Sequence, residues 1–85
     1  MVIETFTKGA RPVYERAAAR GRMLPPGLKY IDSWVEAATL TRSFQLMETD
    51  DVALFQVWLE NWRDLGELEV VPVITSSEAA AQALQ

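Results

Sequence analysis

The 85-residue sequence contains no cysteine and no histidine. Without cysteine no disulfide can form, and secretion gains no support. Without either residue there is no Ser-His or Cys-His nucleophile pair and no zinc site of the usual N/S type. Long apolar runs are also missing: none approaches the roughly 18 residues of a membrane span. No basic stretch followed by an apolar core opens the chain, so a signal peptide is not expected. The expectation is a cytoplasmic protein with no membrane partner. Basic residues are scarce, and the net charge of −4 argues against nucleic acid as a partner.

A chain of this length holds one domain, spanning residues 1–85. So small a domain buries only about 60% of the surface its unfolded chain exposes. Pairing with a second copy is a natural way to bury more, and a homodimer is expected. The charge is segregated. Residues 1–29 carry six basic side chains against two acidic ones, and residues 30–85 carry two against ten. Such segregation reads as solvated faces that attract each other within or between subunits. The alternative is an anion site on Arg16, Arg20 and Arg22.

The pattern of elements is clear. "MVIETFT" alternates as a short strand, with Val2, Glu4 and Phe6 on one side. "KGARP" is a turn, and Pro12 suits the first helical position. "VYERAAAR" then predicts a helix that Gly21 stops, with Val13, Tyr14, Ala17 and Ala18 inward. "RMLPPG" is a loop. Strands are predicted over 28–36 and 41–49. Thr49 or Asp50 caps a helix predicted to run to Leu65, with Val52, Phe55, Trp58, Leu59 and Trp62 in its apolar stripe. "ELEVVPVIT" is a fourth strand, and Pro72 places it at an edge. "TSSE" is a capping box that opens a short terminal helix. The order β-α-β-β-α-β plus a C-terminal helix predicts an α+β, ferredoxin-like fold. Two helices cover one face of a four-stranded antiparallel sheet, and the other face stays open.

The central hairpin carries the candidate site. In its simplest register Glu36 opposes Thr41, so Asp32 opposes Gln45 and Tyr30 opposes Met47. Ile31, Ser33, Val35, Phe44 and Leu46 then lie under the helices. Leu28, Tyr30, Asp32, Trp34, Ser43, Gln45 and Met47 lie on the open face. Every step depends on that register. Large aromatics beside a few polar groups make up either a small-molecule pocket or a wet interface. The expected ligand-binding residues are Tyr30, Asp32, Trp34, Gln45, Met47 and Glu4, with Phe6 alongside. The plainer reading is that Asp32 and Gln45 only satisfy each other or a partner chain.

Catalysis has one candidate, Asp32, with Glu4 and Glu69 also expected on the open face. Carboxyls crowded into a partly apolar cavity have raised pKa values and can move protons. Glu48, Asp50 and Asp51 form an oxygen-rich group, but capping accounts for the aspartates and no metal is expected. Trp58 and Trp62 read as core residues. "GARPVYERAAARG" lacks phosphate-loop spacing, and no cofactor is expected.

"YERAAARGRMLPPGLKYIDSW", "FQLMETDD" and "EVVPVITSSEA" resemble a family of short, mostly bacterial proteins catalogued only as a domain of unknown function. The resemblance covers nearly the whole chain. Such proteins look like members of the dimeric α/β-barrel superfamily. That superfamily includes cofactor-free monooxygenases, lactone isomerases, haem-degrading and chlorite-handling haem enzymes, and stress-response proteins. The resemblance implies the fold and a dimer whose sheets face each other; it implies no catalytic residues. The absence of histidine departs from the haem-binding relatives. The expected function is binding of a small aromatic or planar molecule in a cavity between the sheets. The alternatives are a cofactor-independent monooxygenase or isomerase, and a structural dimer without ligand.

Overall fold

The computed structural model describes residues 1–85 as β1 (Val2–Phe6), α1 (Ala10–Arg20), β2 (Lys29–Val35), β3 (Arg42–Glu48), α2 (Ala53–Leu59), β4 (Gly66–Val70) and α3 (Ser76–Ala83). The strands form one antiparallel sheet in the order β2-β3-β1-β4. This is the ferredoxin-like α+β arrangement that the pattern predicts. β4 is an edge strand, and Pro72 falls just beyond it, where the missing N–H breaks no central ladder.

The alternation of β1 decides which face is covered. Val2, Glu4 and Phe6 are buried, while Ile3 and Thr5 face away. Val2 and Phe6 join Val13 of α1 with Phe55 and Trp58 of α2 in one apolar core. Gly21 ends α1 at a φ of 67°, and its N–H bonds the Ala17 carbonyl at 2.7 Å. Pro12 sits within the first turn of the helix rather than opening it; its missing N–H still costs no intrahelical bond. Ala10, Val13 and Ala17 face the core, whereas Tyr14 is half exposed and Ala18 is exposed.

α2 is shorter than its apolar stripe suggests. It ends at Leu59, and tight i→i+3 turns follow: Trp62 N–H bonds Leu59 O and Leu65 N–H bonds Trp62 O, at 3.0 and 2.9 Å. The reason is tertiary. Trp58, Asn61 and Trp62 all donate side-chain N–H groups to carbonyls of the loop before β2, which fixes this stretch in place of a further helical turn. The start also differs. Asp51 Oδ1 accepts the Ala53 N–H at 3.0 Å, so neither Thr49 nor Asp50 caps the helix. Val52 is exposed and outside the core stripe.

The capping box of α3 forms: Thr75 Oγ1 accepts the Glu78 N–H at 3.0 Å, and Glu78 Oε1 accepts the Thr75 N–H at 3.3 Å. No residue of α3 is buried. The chain accordingly has a radius of gyration of 14.3 Å, against about 12 Å for a compact chain of this length. No helix is long and apolar enough to cross a membrane.

The hairpin departs from the simple register. Lys29 opposes Glu48 and Tyr30 opposes Met47 as expected, but a bulge at Ile31 then adds one residue to β2. Beyond it Asp32 opposes Leu46, Ser33 opposes Gln45 and Trp34 opposes Phe44. The predicted Asp32–Gln45 pair does not exist. The faces of β3 are also reversed from the expectation. Ser43, Gln45 and Met47 are buried toward the helices, and Phe44 and Leu46 face away. Pairing with β1 requires this: Gln45 opposes buried Val2 and Ser43 opposes buried Glu4.

Candidate functional site

The polar residues of the two central strands meet under the helices. Glu4 of β1, Ser43 and Gln45 of β3 and Ser33 of β2 form the floor of a cavity of about 210 Å³. Phe6 and Val35 complete that floor. Tyr14 and Ala17 of α1 and the indoles of Trp58 and Trp62 line it from the helix side, leaving it partly open to solvent, and Arg22 borders it from the loop before β2. Drug-sized ligands occupy larger pockets, but an apolar space of about 150 Å³ already holds benzene. This cavity has room for one ring and a small polar substituent.

Glu4 is only 3% exposed and Ser43 only 4%, yet each has an atom without a partner. Glu4 Oε2, Ser43 Oγ and Arg22 Nε are all buried and all unpaired. Three such atoms beside one cavity are unusual, because buried polar groups are normally bonded. Burial pushes the Glu4 carboxyl up to about 7, and the Ser43 hydroxyl across the ladder draws it back only in part. Ser43 faces the carboxyl without closing a bond of good geometry. Glu4 is thus a carboxyl that changes charge near neutral pH inside a largely apolar space.

Arg22 is held at the edge of the cavity by its neighbours. Its guanidinium carbon lies 3.7 Å from the centroid of the Tyr30 ring. One terminal nitrogen donates to Ser33 Oγ at 3.0 Å, and Ser33 Oγ and Tyr30 Oη lie 2.7 Å apart. All four ion pairs of the chain lie elsewhere, so no carboxylate neutralises Arg22. The backbone around it is fixed independently. Both tryptophan indoles bond the Arg22 carbonyl, and Met23 next to it adopts a φ of 57°.

The predicted site residues therefore separate. Glu4 and Gln45 line the cavity, joined by Phe6. Tyr30 is on the same side, as the platform for Arg22. Met47 is buried in the core on that side but does not line the cavity. Asp32 and Trp34 stand on the open face with Leu46 and Phe44. Asp32 is exposed, and its Oδ1 accepts the N–H of Ser33 at 2.8 Å. Glu69 is exposed on the open face opposite Ile3. Of the three carboxyls expected together, Glu4 alone enters a cavity.

The arginine cluster separates too. Arg16 makes a bidentate pair with Asp64 at 2.8 and 2.7 Å, Arg20 is exposed, and Arg22 goes to the cavity. Sequence reasoning missed Ser33, Ser43 and Tyr14 as site residues; it named Arg22 only within an anion site shared with Arg16 and Arg20, neither of which lines the cavity. One usable signal was present. Val2-x-Glu4-x-Phe6 and Ser43-x-Gln45-x-Met47 both place polar groups within inward-facing triplets.

Over residues 1–85 the chain matches the family described as "Domain of unknown function (DUF3303)". Neither the curated proteins nor the solved structures include a match.

Proposed function

Since the chain belongs to the DUF3303 family, whose description names no activity, we propose its function from the site: it binds a small planar molecule between the sheet and the helices. The carrying observation is the convergence of three buried, unpaired polar atoms on one aromatic-walled cavity. Trp58, Trp62 and Phe6 supply apolar and stacking area, and Glu4, Ser43, Gln45 and Arg22 supply orientation. Binding is tested by tryptophan fluorescence in a Trp34→Phe protein, which leaves Trp58 and Trp62 as the reporters, together with thermal shift. A ligand at 100 times its Kd stabilises the fold by about 2.7 kcal/mol. A library of one-ring compounds that shifts neither signal would sink the reading.

The dimer belongs to the same proposal. A second copy covers the open face, as in a dimeric α/β barrel. Exposed Ile31 and Trp34 beside Ile3, Phe44 and Leu46 support it, and so does a terminal helix with nothing buried. Asp32 then faces the partner chain rather than the ligand. Sedimentation that finds only monomer at high concentration would remove this part.

The second reading, a cofactor-independent isomerase or monooxygenase, is favoured by Glu4 and not by Asp32. A carboxyl brought to about 7 by burial is matched to moving a proton at neutral pH. Turnover unchanged in a Glu4→Gln variant would exclude it.

A further inference from the structure

The cavity has a charge preference that its aromatic walls alone do not set. Arg22 is its single permanent charge. Arginine is ionised at any accessible pH and forms its strongest bonds in planar, two-point contacts with carboxylates. Here the fork is held by the Tyr30 ring and Ser33, and its buried Nε–H is left without an acceptor. A guanidinium so positioned and without a counter-ion lacks an anion.

Glu4 does not supply one. Its carboxyl borders the same cavity, yet it forms no ion pair with Arg22, and Oε2 stays unpaired. The groups facing Glu4 are mostly neutral: Ser43 and Gln45 on β3 and Leu68 on β4 do not titrate, which leaves Tyr14 of α1 and Arg22 of the loop before β2 as the titratable and charged ones. No other carboxylate lines the cavity.

We infer that the cavity selects a small planar organic anion, one ring bearing a carboxylate or a group of like geometry, with the anionic group on Arg22 and the ring among Phe6, Trp58 and Trp62. This rests on the reading that the cavity binds a ligand at all, and it names the class. A cationic ligand would bring its charge against Arg22. A neutral one accepts from Nε–H at most a bond without charge assistance and leaves the guanidinium without a counter-ion. Glu4 completes the selection by its protonation state: neutral, it offers the ligand an O–H donor; ionised, it repels the anion. Anion binding is therefore coupled to proton retention at Glu4.

The test uses three one-ring probes of similar size on the full chain carrying Trp34→Phe: benzoate, benzyl alcohol and benzylamine. Benzoate is expected to bind about tenfold or more tighter than either of the others, the scale set by a charge-assisted hydrogen bond. Its affinity falls as pH rises through about 7, the value to which burial brings Glu4, and that fall is absent in Glu4→Gln. Arg22→Gln removes the preference for benzoate, whose affinity is expected to fall to or below that of benzyl alcohol measured on the same variant; a roughly tenfold preference that survives there would overturn the assignment to Arg22. The charge series on Arg22-containing protein stands even if Arg22→Gln fails to fold. Benzyl alcohol or benzylamine binding as tightly as benzoate would overturn the anion assignment while leaving the cavity a ligand site. No response to any of the three would overturn both readings together.

Discussion

Trp58 and Trp62 donate their indole N–H groups to one and the same oxygen, the Arg22 carbonyl, at 2.8 and 3.1 Å. The two rings come from the end of α2 and the turn after it, so a single carbonyl ties that turn to the loop before β2. Asn61 adds a third bond, to the Met23 carbonyl at 3.3 Å. Together they hold the Arg22 backbone while its side chain borders the cavity. Either tryptophan changed to phenylalanine leaves the carbonyl one donor and costs about 1 kcal/mol, the net value of a hydrogen bond. Changing both leaves a part-buried carbonyl unpaired. The double variant is expected to lose about 1 kcal/mol or more beyond the sum of the singles. Chemical denaturation of the four proteins in a double-mutant cycle measures this, and strict additivity would show that the shared acceptor does not couple them.

Glu4 makes stability fall as pH rises. In the unfolded chain its carboxyl titrates at 4.5, and in the folded chain at about 7. Between these values the native state holds more protons than the unfolded one, so protonation stabilises the fold. The contribution is complete below 4.5, declines as pH climbs toward 7, and is gone above it. The window corresponds to roughly 2–4 kcal/mol. Glu4→Gln cannot ionise. Relative to the parent protein, the variant is expected to gain stability steadily across that window. The difference between their unfolding free energies, measured at several pH values, is the readout. A difference independent of pH would show that the carboxyl is not desolvated in the native state.

These two sites show what was legible in the sequence and what was not. Element order, the edge position of β4 and the Thr75–Glu78 box follow from local chemistry: alternation, proline and capping are properties of neighbouring residues. The bulge at Ile31 is not such a property. Nothing in "KYIDSWV" marks one residue as extra, and the register beyond it is set by β3, whose own faces are set by β1. That one residue moved Asp32 and Trp34 away from Gln45. Alternation shows that Glu4 shares a side with Val2 and Phe6, but Glu4 was expected on the open face and lies under the helices instead, because which side they cover is decided only when the sheet assembles. Arg22 reaches the site because distant indoles hold its backbone, a relationship 36 and 40 residues long.

The Arg16–Asp64 pair works in the opposite direction from Glu4. Its hydrogen bonds to Arg16 hold the Asp64 carboxyl at about 2, below its ordinary 3.8. The stabilisation is present above 3.8 and is lost as pH falls toward 2, where the native carboxylate is protonated. Arg16 also donates to the Asn61 carbonyl at 2.8 Å, so the pair links α1 to the turn that carries Trp62. Asp64→Asn is expected to unfold more readily than the parent protein at neutral pH, and the two are expected to converge in acid. Acid titration of unfolding for both proteins checks this. Convergence only at high salt, with none in acid, would reduce the pair to surface screening.

Gly66 opposes Phe6 at the start of β4 and packs closely against Glu4 and the Thr5 backbone. A methyl group added at this position would lie 2.9 Å from Glu4 Oε2 and 2.9 Å from the Thr5 carbonyl oxygen. The first contact is with the end of a side chain and can be relieved by swinging the carboxyl. The second is with backbone and cannot be relieved without moving the β1–β4 ladder. Gly66→Ala is therefore expected to cost about 1–3 kcal/mol, the usual range for overpacking. Removing the side-chain contact in Glu4→Ala isolates the backbone part. If Gly66→Ala costs less in the Glu4→Ala protein than in the parent, the carboxyl occupies the space over the glycine. An equal cost in both would place the whole effect on the Thr5 carbonyl and would free Gly66 from any role in shaping the cavity. Probe binding adds an independent check, because a displaced Glu4 alters the pH dependence of benzoate affinity even where the fold tolerates the methyl group.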